Sequence, residues 1–268
     1  MKTQAVAFDL DDTLLRDDRT ISPYTVQVLR RAAEAGIRVI PASGRVRDSM
    51  RGFVEQIECA ACYIACNGAE LWHADHTLIH RECLDVPLAR ACAAFAEEND
   101  CYCQVYYESK FYYSRRGEYA HAYAVSSLLT GEYVTDMNGF IREPTTKVLM
   151  MAEPEKIARM MVQAQSRFAG QAQVTCSKPY FLEINPMAAT KGNALKRAAD
   201  IYGFDLARTV AFGDSLNDMS MLTMAGLGVA MENGREDVKM RIATHCGRNE
   251  EDGGARFIDE HCLREERE

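Results

Sequence analysis

Val6-Ala7-Phe8-Asp9-Leu10-Asp11-Asp12-Thr13-Leu14-Leu15 is an apolar stretch that is interrupted by three carboxylates within four positions and then becomes apolar again. Its first part is typical of a buried β-strand. Carboxylates buried close together repel one another and raise one another's pKa values unless a cation neutralises them. The stretch therefore predicts a site for a hard divalent cation at the end of a strand. The alternative is a solvated acidic turn, since Asp is mostly exposed on protein surfaces.

The overall composition is that of an ordinary globular protein, with 268 residues, 47% hydrophobic and 26% charged. A formal net charge of −8 argues against a general binder of nucleic acid or of anionic membranes. It does not exclude an anionic substrate, because one locally basic or metal-lined pocket is enough. The first residues enter a strand pattern without a signal-peptide apolar region, and no apolar run approaches the roughly 18 residues of a membrane span. We therefore expect a cytoplasmic protein.

The ten cysteines are expected to be reduced thiols, because disulfides are rare in cytosolic proteins. Cys59, Cys62 and Cys66 have part of the spacing of a zinc site, but a second pair at suitable spacing is missing. Cys62 and Cys66 also fall on an apolar strand pattern, in which cysteine serves as a small hydrophobe.

The first third of the chain alternates strand and helix patterns. Ser22-Pro23 is a typical helix start, and Gly36 is a typical helix stop. A short apolar run, Ile37–Ala42, predicts a second strand that ends at Ser43-Gly44-Arg45, and Ala61–Cys66 predicts a third. Strands joined by helices through short connections indicate a doubly wound parallel sheet with helices on both faces.

The pattern changes near Leu84. A helix to about Asn99 is followed by two aromatic strand segments, and after residue 145 a strand, a helix and two more strands follow. Residues 115–145 have no clear pattern because glycines and a proline interrupt them. We predict an inserted, open antiparallel α+β layer here.

The first pattern resumes at Lys191, with a helix to about Tyr202 and a strand over Thr209–Phe212. We predict an α/β core domain formed by residues 1–83 and 185–268, and an inserted α+β cap domain formed by residues 84–184. The charged tail, residues 264–268, is expected to fray.

Polar residues follow the predicted strands at their carboxyl ends, where ligands bind to doubly wound sheets. The set comprises Asp9 with Asp11, Ser43-Gly44-Arg45, and Gly213-Asp214-Ser215-Leu216-Asn217-Asp218, and Lys191 at a helix start joins it. Acids for a cation, a hydroxyl and N–H groups for an anion, and a lysine for charge together predict phosphoryl transfer. These residues alone leave open whether Asp9 or Asp11 is the nucleophile.

Three competing motifs fit less well. Leu14 and Thr20 stand where an EF-hand starting at Asp9 needs Gly and Glu. Lys191 lacks the upstream glycine of a P-loop. Asn217 stands where the nucleophile elbow of a serine hydrolase has its second glycine.

In their order along the chain, these motifs resemble the four motifs of the haloacid dehalogenase (HAD) superfamily. The position of the insert is similar to that of the α/β cap in the Cof-like phosphatase branch. Further segments fit the same branch: Asn67-Gly68-Ala69, Glu183-Ile184, Val229-Ala230-Met231 with Asn233, and Glu251-Asp252-Gly253. Asp12 departs from the pattern, because Gly is commoner there, and its role stays unassigned.

The resemblance implies a role for each carboxylate. Asp9 would attack phosphorus and become a transient aspartyl-phosphate, and Asp11 would protonate the leaving alcohol and then activate water. Mg²⁺ would be held by Asp9, the backbone carbonyl of Asp11 and Asp214, and Asp218 would support the metal or orient Lys191.

The resemblance also implies how the phosphate is bound. Ser43, the Gly44 N–H group and Asn217 would contact its oxygens, and Lys191 would neutralise the developing charge. The expected reaction is Mg²⁺-dependent hydrolysis of a small phosphorylated metabolite, a sugar phosphate or a similar compound, without a nucleic-acid or membrane partner.

Two other functions remain open from the sequence. A phosphomutase or phosphotransferase would use the same intermediate with an alcohol acceptor, and a non-catalytic regulator would bind a phosphometabolite without turnover. The tyrosines of the insert are given no functional role, because aromatic residues are common in strands. They are Tyr102, Tyr106, Tyr107, Tyr112 and Tyr113.

Overall fold

The computed structural model describes residues 2–107 and 110–263, so the predicted fraying of residues 264–268 lies outside the described residues. The strands are β1 (Ala5–Phe8), β2 (Arg38–Pro41), β3 (Cys62–Ala65), β4 (Glu70–His73), β5 (Leu78–Arg81), β6 (Tyr102–Tyr107), β7 (Lys110–Tyr113), β8 (Thr130–Tyr133), β9 (Val148–Met151), β10 (Ala172–Thr175), β11 (Phe181–Pro186), β12 (Thr209–Gly213), β13 (Leu227–Met231) and β14 (Thr244–Cys246). The helices are α1 (Pro23–Glu34), α2 (Arg47–Ile57), α3 (Val86–Glu98), α4 (Glu118–Ser127), α5 (Met137–Phe140), α6 (Pro154–Arg167), α7 (Lys191–Tyr202), α8 (Met219–Met224), α9 (Glu236–Lys239) and α10 (Gly253–Phe257).

The strands at the two ends of the chain form one parallel sheet, in the order β14-β13-β12-β1-β2. Helix α1 begins where predicted, because the Ser22 hydroxyl accepts a hydrogen bond from the Thr25 N–H group and Pro23 occupies the first turn. Gly36 follows that helix in the left-handed conformation that glycine tolerates best. The predicted α/β core is confirmed.

Both faces of this parallel sheet are covered. Val6 and Phe8 of β1 pack into one hydrophobic cluster, whereas Ala5 and Ala7 pack into a second cluster that contains residues of α7 and α8. This alternation follows from the two-residue period of a strand. Burial on both faces explains why the strands of the core are continuous apolar runs.

The third predicted strand, β3, has a double role. Two isolated parallel bridges connect its region to β2, while β3 itself pairs with β4 in a three-stranded antiparallel sheet with β5. The chain then enters the insert, and β11 ends at Pro186, before α7 returns to the core. The domain bounds at residues 84 and 184 stay a prediction.

The insert contains a six-stranded sheet, in the order β10-β11-β9-β6-β7-β8. Its pairs are antiparallel except β7 and β8, which are parallel, so the prediction of a purely antiparallel layer is corrected. Helix α4 lies in the segment that lacked a clear pattern. Its buried side chains are Ala120, Tyr123 and Ser127, but Ala122 and Val125 on its exposed side are apolar as well, so the segment has no helical hydrophobic period.

The two faces of the cap sheet have different neighbours. Cys103 and Val105 belong to a cluster that includes residues of α3 and α6. Tyr102 and Tyr106, on the opposite face, belong to the same hydrophobic cluster as Val6 and Phe8 of the core. The apolar packing is therefore continuous from the cap sheet to the parallel sheet.

None of the helices within residues 2–107 and 110–263 has the length and apolar character needed to cross a membrane.

Replacement of Ile40 by alanine tests the packing of the core, because its side chain is fully buried between the sheet and α7. We expect Ile40→Ala to lower the free energy of unfolding by about 2–5 kcal/mol in urea titrations. Ile201 in α7 is half-exposed, so Ile201→Ala is the control and should lower the free energy of unfolding by less than about 1 kcal/mol. Equal losses in the two variants would contradict this assignment of the core.

Candidate functional site

The predicted carboxylates meet where the central strands of the parallel sheet end. Asp9 follows β1 and Asp214 follows the neighbouring β12, and the Asp9 N–H group donates to the Phe212 carbonyl across the two strands. One carboxylate oxygen from each of Asp9, Asp214 and Asp218 can be chosen so that the three atoms lie within 4.8 Å of one another, and the three groups are buried. The structure brings together three of the four residues predicted to hold the metal.

Lys191 lies at the centre of this cluster with 0% of its surface exposed. Its Nζ is 2.5 Å from Asp9 Oδ1 and 2.6 Å from Asp218 Oδ1. The lysine is delivered by the first turn of α7, which begins where the Thr190 hydroxyl accepts from the Asn193 N–H group. A buried ammonium bound to two carboxylates satisfies the requirement that buried charges be paired.

Asp218 is fixed by the loop after β12. Its Oδ2 accepts hydrogen bonds of 3.0 Å from the N–H groups of Asp214 and Ser215. A Cβ atom at Gly213 would lie 2.5 Å from the Cβ atom of Asp218, so a side chain at position 213 would displace this carboxylate. Because both oxygens of Asp218 already have partners, the geometry favours its orienting role over direct ligation of a metal.

The electrostatics of the cluster leave negative charge in excess. Burial raises the pKa of Asp9 to about 7, although the charge of Lys191 lowers it. Burial, followed by the charges of Asp218 and Asp9, raises the pKa of Asp214 well above its ordinary value. One lysine cannot neutralise three buried carboxylates. Oxygen donors with an unbalanced charge are what a hard divalent cation requires, so the residues fit Mg²⁺.

Asp11 is turned away from this cluster toward Arg45. The guanidinium binds it in a bidentate manner, with Nε 2.7 Å from Oδ2 and Nη2 2.7 Å from Oδ1. Burial would raise the pKa of Asp11, but the hydrogen bonds and charge of Arg45 outweigh it and hold this pKa below its ordinary value. From the sequence, Arg45 belonged to a motif but had no assigned role, because its partner Asp11 is 34 positions away and a linear pattern does not reveal such a pair.

The predicted phosphate-binding residues lie beside the carboxylates. The Ser43 hydroxyl accepts from the Arg45 N–H group at 3.2 Å, and the Asn217 side-chain amide donates to Asn67 Oδ1 at 3.0 Å. A Cβ atom at Gly44 would lie 2.8 Å from the same Asn67 oxygen, so glycine is required for this close approach. Asn67, quoted above only for the resemblance, thus connects two of the predicted phosphate-binding segments.

A cavity of about 480 Å³ opens over these residues and is closed on the other side by the insert. The insert contributes Lys147 and Glu183 to its wall, a buried ion pair to which the sequence assigned no function. The lysine at the start of an apolar strand run was the available signal. The wall from the insert is completed by residues of α4 and of the loops around β9 and β11: Tyr119, Ala122, Tyr123, Ser126, Ser127, Met151, Ala152, Lys178, Tyr180 and Phe181.

Replacement of Lys191 tests the charge balance. Lys191→Met leaves buried carboxylates without their counter-charge, and we expect it to lower the free energy of unfolding by about 3–5 kcal/mol near neutral pH. The loss should shrink toward about pH 4, where the carboxylates bind protons. The control, Lys196→Met in the exposed part of α7, removes only an exposed pair with Asp200 and should cost less than about 1 kcal/mol. Urea unfolding at several pH values measures these free energies. A loss of stability in Lys191→Met that did not depend on pH would contradict the prediction.

Comparison with known proteins agrees with this geometry. The sequence pattern of the haloacid dehalogenase-like hydrolase family matches residues 6–258. The chain is 28% identical over 253 residues to the 5-amino-6-(5-phospho-D-ribitylamino)uracil phosphatase YcsE of Bacillus subtilis, covering 94% of this chain and 93% of the relative. It is 30% identical over 267 residues to a second 5-amino-6-(5-phospho-D-ribitylamino)uracil phosphatase of Bacillus subtilis, YitU. This match covers 97% of this chain and 98% of the relative.

A similar solved structure is that of a haloacid dehalogenase-like hydrolase from Bacteroides thetaiotaomicron. It has a TM-score of 0.84 and 26% sequence identity, and the match covers 96% of this chain and 99% of that chain. The family pattern spans both strands that carry the carboxylates and the whole insert between them. The chain therefore belongs to the haloacid dehalogenase-like hydrolase family.

Proposed function

We propose that this protein is a Mg²⁺-dependent phosphatase that hydrolyses small phosphorylated metabolites through an aspartyl-phosphate on Asp9. The observation that carries the proposal is the buried contact of Lys191 with Asp9 and Asp218, next to Asp214 and at the bottom of a cavity. The relatives described above are named phosphatases, which supports the same reaction class.

In the first step, Asp9 attacks phosphorus, and the bond between phosphorus and the leaving oxygen breaks. Lys191 holds the carboxylate in place, and its charge balances the negative charge that develops on the phosphoryl group. Ser43, the Gly44 N–H group and Asn217 bind the phosphate oxygens. In the second step, water attacks phosphorus, the bond to Asp9 breaks, and inorganic phosphate leaves.

Asp11 is assigned the proton transfers. It gives a proton to the leaving alcohol in the first step and takes one from water in the second. In the arrangement described above, its contact with Arg45 favours the ionised form, which suits the base better than the acid. Proton donation therefore requires Arg45 to turn toward another anion, and the substrate phosphate is the anion that enters this cavity.

Mg²⁺ would be held by Asp9, Asp214 and the backbone carbonyl of Asp11, and when bound it supplies positive charge to the phosphate oxygens. Asp218 would keep Lys191 and the loop after β12 in position. We further propose that residues 84–184 act as a cap that excludes bulk water from the intermediate. A cytoplasmic location remains part of this proposal.

Replacement of the nucleophile tests the reaction. Asp9→Asn keeps the shape of the side chain but removes its nucleophilic charge, so kcat for an aryl phosphate should fall at least about a thousandfold. Release of inorganic phosphate is the measurement, and it separates hydrolysis from transfer to an alcohol acceptor. Asp237→Asn, on the exposed helix α9, is the control and should stay within about threefold of the unmodified enzyme. Undiminished activity in Asp9→Asn would show that another residue attacks.

Thermal unfolding with and without Mg²⁺ tests the metal site. Because the pKa of Asp9 rises from 3.8 to about 7 on folding, the folded state holds this proton more tightly than the unfolded state. Its stabilising contribution is complete below about pH 4 and is lost as the pH rises through about 7. The metal-free protein should therefore be less stable at about pH 8 than at about pH 5.

Mg²⁺ requires the ionised carboxylates, so it should raise Tm more at about pH 8 than at about pH 5. Asp214→Asn removes one ligand and should abolish most of this increase, whereas Asp237→Asn should keep it. The same increase in the Asp214 variant would argue against this site.

A further inference from the structure

The part of the cavity wall that the insert contributes contains an ion pair that the proposed reaction does not use. Lys147 Nζ lies 3.0 Å from Glu183 Oε1, and both side chains are almost completely buried. The same ammonium group donates to the Gly44 carbonyl at 2.7 Å. Lys147 therefore joins the insert to the predicted phosphate-binding loop, and one ammonium group separates Glu183 from that loop.

The donors of Lys147 are directed at the protein. Besides Glu183 and Gly44, the ring of Tyr106 lies 5.1 Å from its Nζ, within the range of a cation–π contact. An ammonium group has three protons, and the oxygens of Glu183 and Gly44 accept two of them, whereas the ring interacts with the charge and not with a particular proton. Lys147 therefore holds Glu183 in place and compensates its charge.

Glu183 has an unused acceptor. Its Oε2 has no hydrogen-bond partner among residues 2–107 and 110–263, although this residue is only 1% exposed and lines the cavity. A buried carboxylate oxygen without a donor is unfavourable by more than a typical hydrogen bond is worth. Because Glu183 lines the cavity, a molecule bound in the cavity can supply the missing donor.

A second polar group of the wall is complementary to this acceptor. Tyr102 donates to Gln104, the Gln104 amide donates to Tyr106, and Tyr106 donates to the hydroxyl of Tyr123. Each hydroxyl group has one proton, so this series of hydrogen bonds leaves the proton of the Tyr123 hydroxyl for a further acceptor. Within residues 2–107 and 110–263 the Tyr123 hydroxyl accepts this bond and donates none, and Tyr123 lines the cavity.

We propose that Glu183 and Tyr123 recognise the alcohol that leaves from the phosphate ester, and that this alcohol carries a further hydroxyl group near the phosphate. A hydroxyl group can donate to Glu183 and accept from Tyr123, whereas an alkyl group does neither and an ammonium group cannot accept. The hydroxyl must lie within a few bonds of the phosphate, because only the Lys147 ammonium separates Glu183 from the Ser43–Gly44 loop. This inference rests on the proposed function, since it assumes that a phosphate ester occupies the cavity.

Binding to the Asp9→Asn variant tests the proposal without turnover. Three probes of similar size, glycerol 3-phosphate, propyl phosphate and O-phosphoethanolamine, are titrated calorimetrically in the presence of Mg²⁺. Glycerol 3-phosphate should bind at least about tenfold more tightly than the other two, because only it satisfies both groups of the wall. Equal binding of all three probes would overturn the proposal.

Glu183→Gln, introduced into the Asp9→Asn protein, should reduce this preference to less than about threefold by weakening glycerol 3-phosphate alone. Glu70→Gln is the matched control, because Glu70 is also buried and ion-paired, with Arg81, but does not line the cavity. The control should keep the preference. A Glu183 variant that lost affinity equally for all three probes would show a structural role for Glu183 and overturn its assignment.

Tyr123→Phe keeps the ion pair and provides the test if the Glu183 variant does not fold. It should also reduce the preference, whereas Tyr63→Phe, which removes a buried hydroxyl bound to His76 outside the cavity, should not. An unchanged preference in Tyr123→Phe would overturn the role of that hydroxyl.

Failure of the proposed function looks different from failure of this inference. If the unmodified protein hydrolyses no phosphate ester but the Asp9→Asn protein still prefers glycerol 3-phosphate, the recognition site stands and the proposed reaction does not. If esters are hydrolysed but the preference is absent, the proposed function stands and the recognition site does not.

Discussion

The contact of one buried ammonium group with two carboxylates is the constraint on which the site depends. Lys191 is fully buried, and its position between Asp9 and Asp218 is what allows acidic side chains to crowd at the ends of two adjacent strands. The compensation is incomplete, since Asp214 adds a further carboxylate to the cluster. The same imbalance that makes the metal-free cluster unfavourable makes it a fitting environment for a divalent cation and for an anionic phosphate bound to that cation.

One arginine and one lysine connect the insert to the core residues around the carboxylates. Arg45 binds Asp11 and also donates to the Ser126 carbonyl of α4, while Lys147 donates to the Gly44 carbonyl of the loop beside it. Both contacts are charge-assisted and little exposed, so they are strong enough to influence how the insert sits over the cavity. The position of the insert and the arrangement of the phosphate-binding loop are thereby coupled, and the substrate enters the space between them.

The sequence predicted the core better than the insert, for a physical reason. Strands of the core are buried on both faces and appear as apolar runs, and the Ser22-Pro23 start of α1 follows local rules of helix capping. The insert has polar and aromatic side chains on its inner face, and the buried side of α4 consists of Ala120, Tyr123 and Ser127. Ala122 and Val125 on its exposed side are apolar as well, so no hydrophobic period marks this helix. Its buried face is held by the hydroxyl and ring contacts of Tyr123 with strands that are distant in the sequence.

By itself, the sequence determined the type of fold and the residues at the carboxyl ends of the strands, because the period of a strand and the order of elements place Asp9 and Asp214 at one edge. Only the tertiary structure decided their partners. The pairing of Asp11 with Arg45, and of Lys147 with Glu183 and Gly44, joins residues that are far apart along the chain. Side-chain charge, hydrogen bonding and burial act through space, and their outcome depends on which surfaces meet when the insert packs against the core.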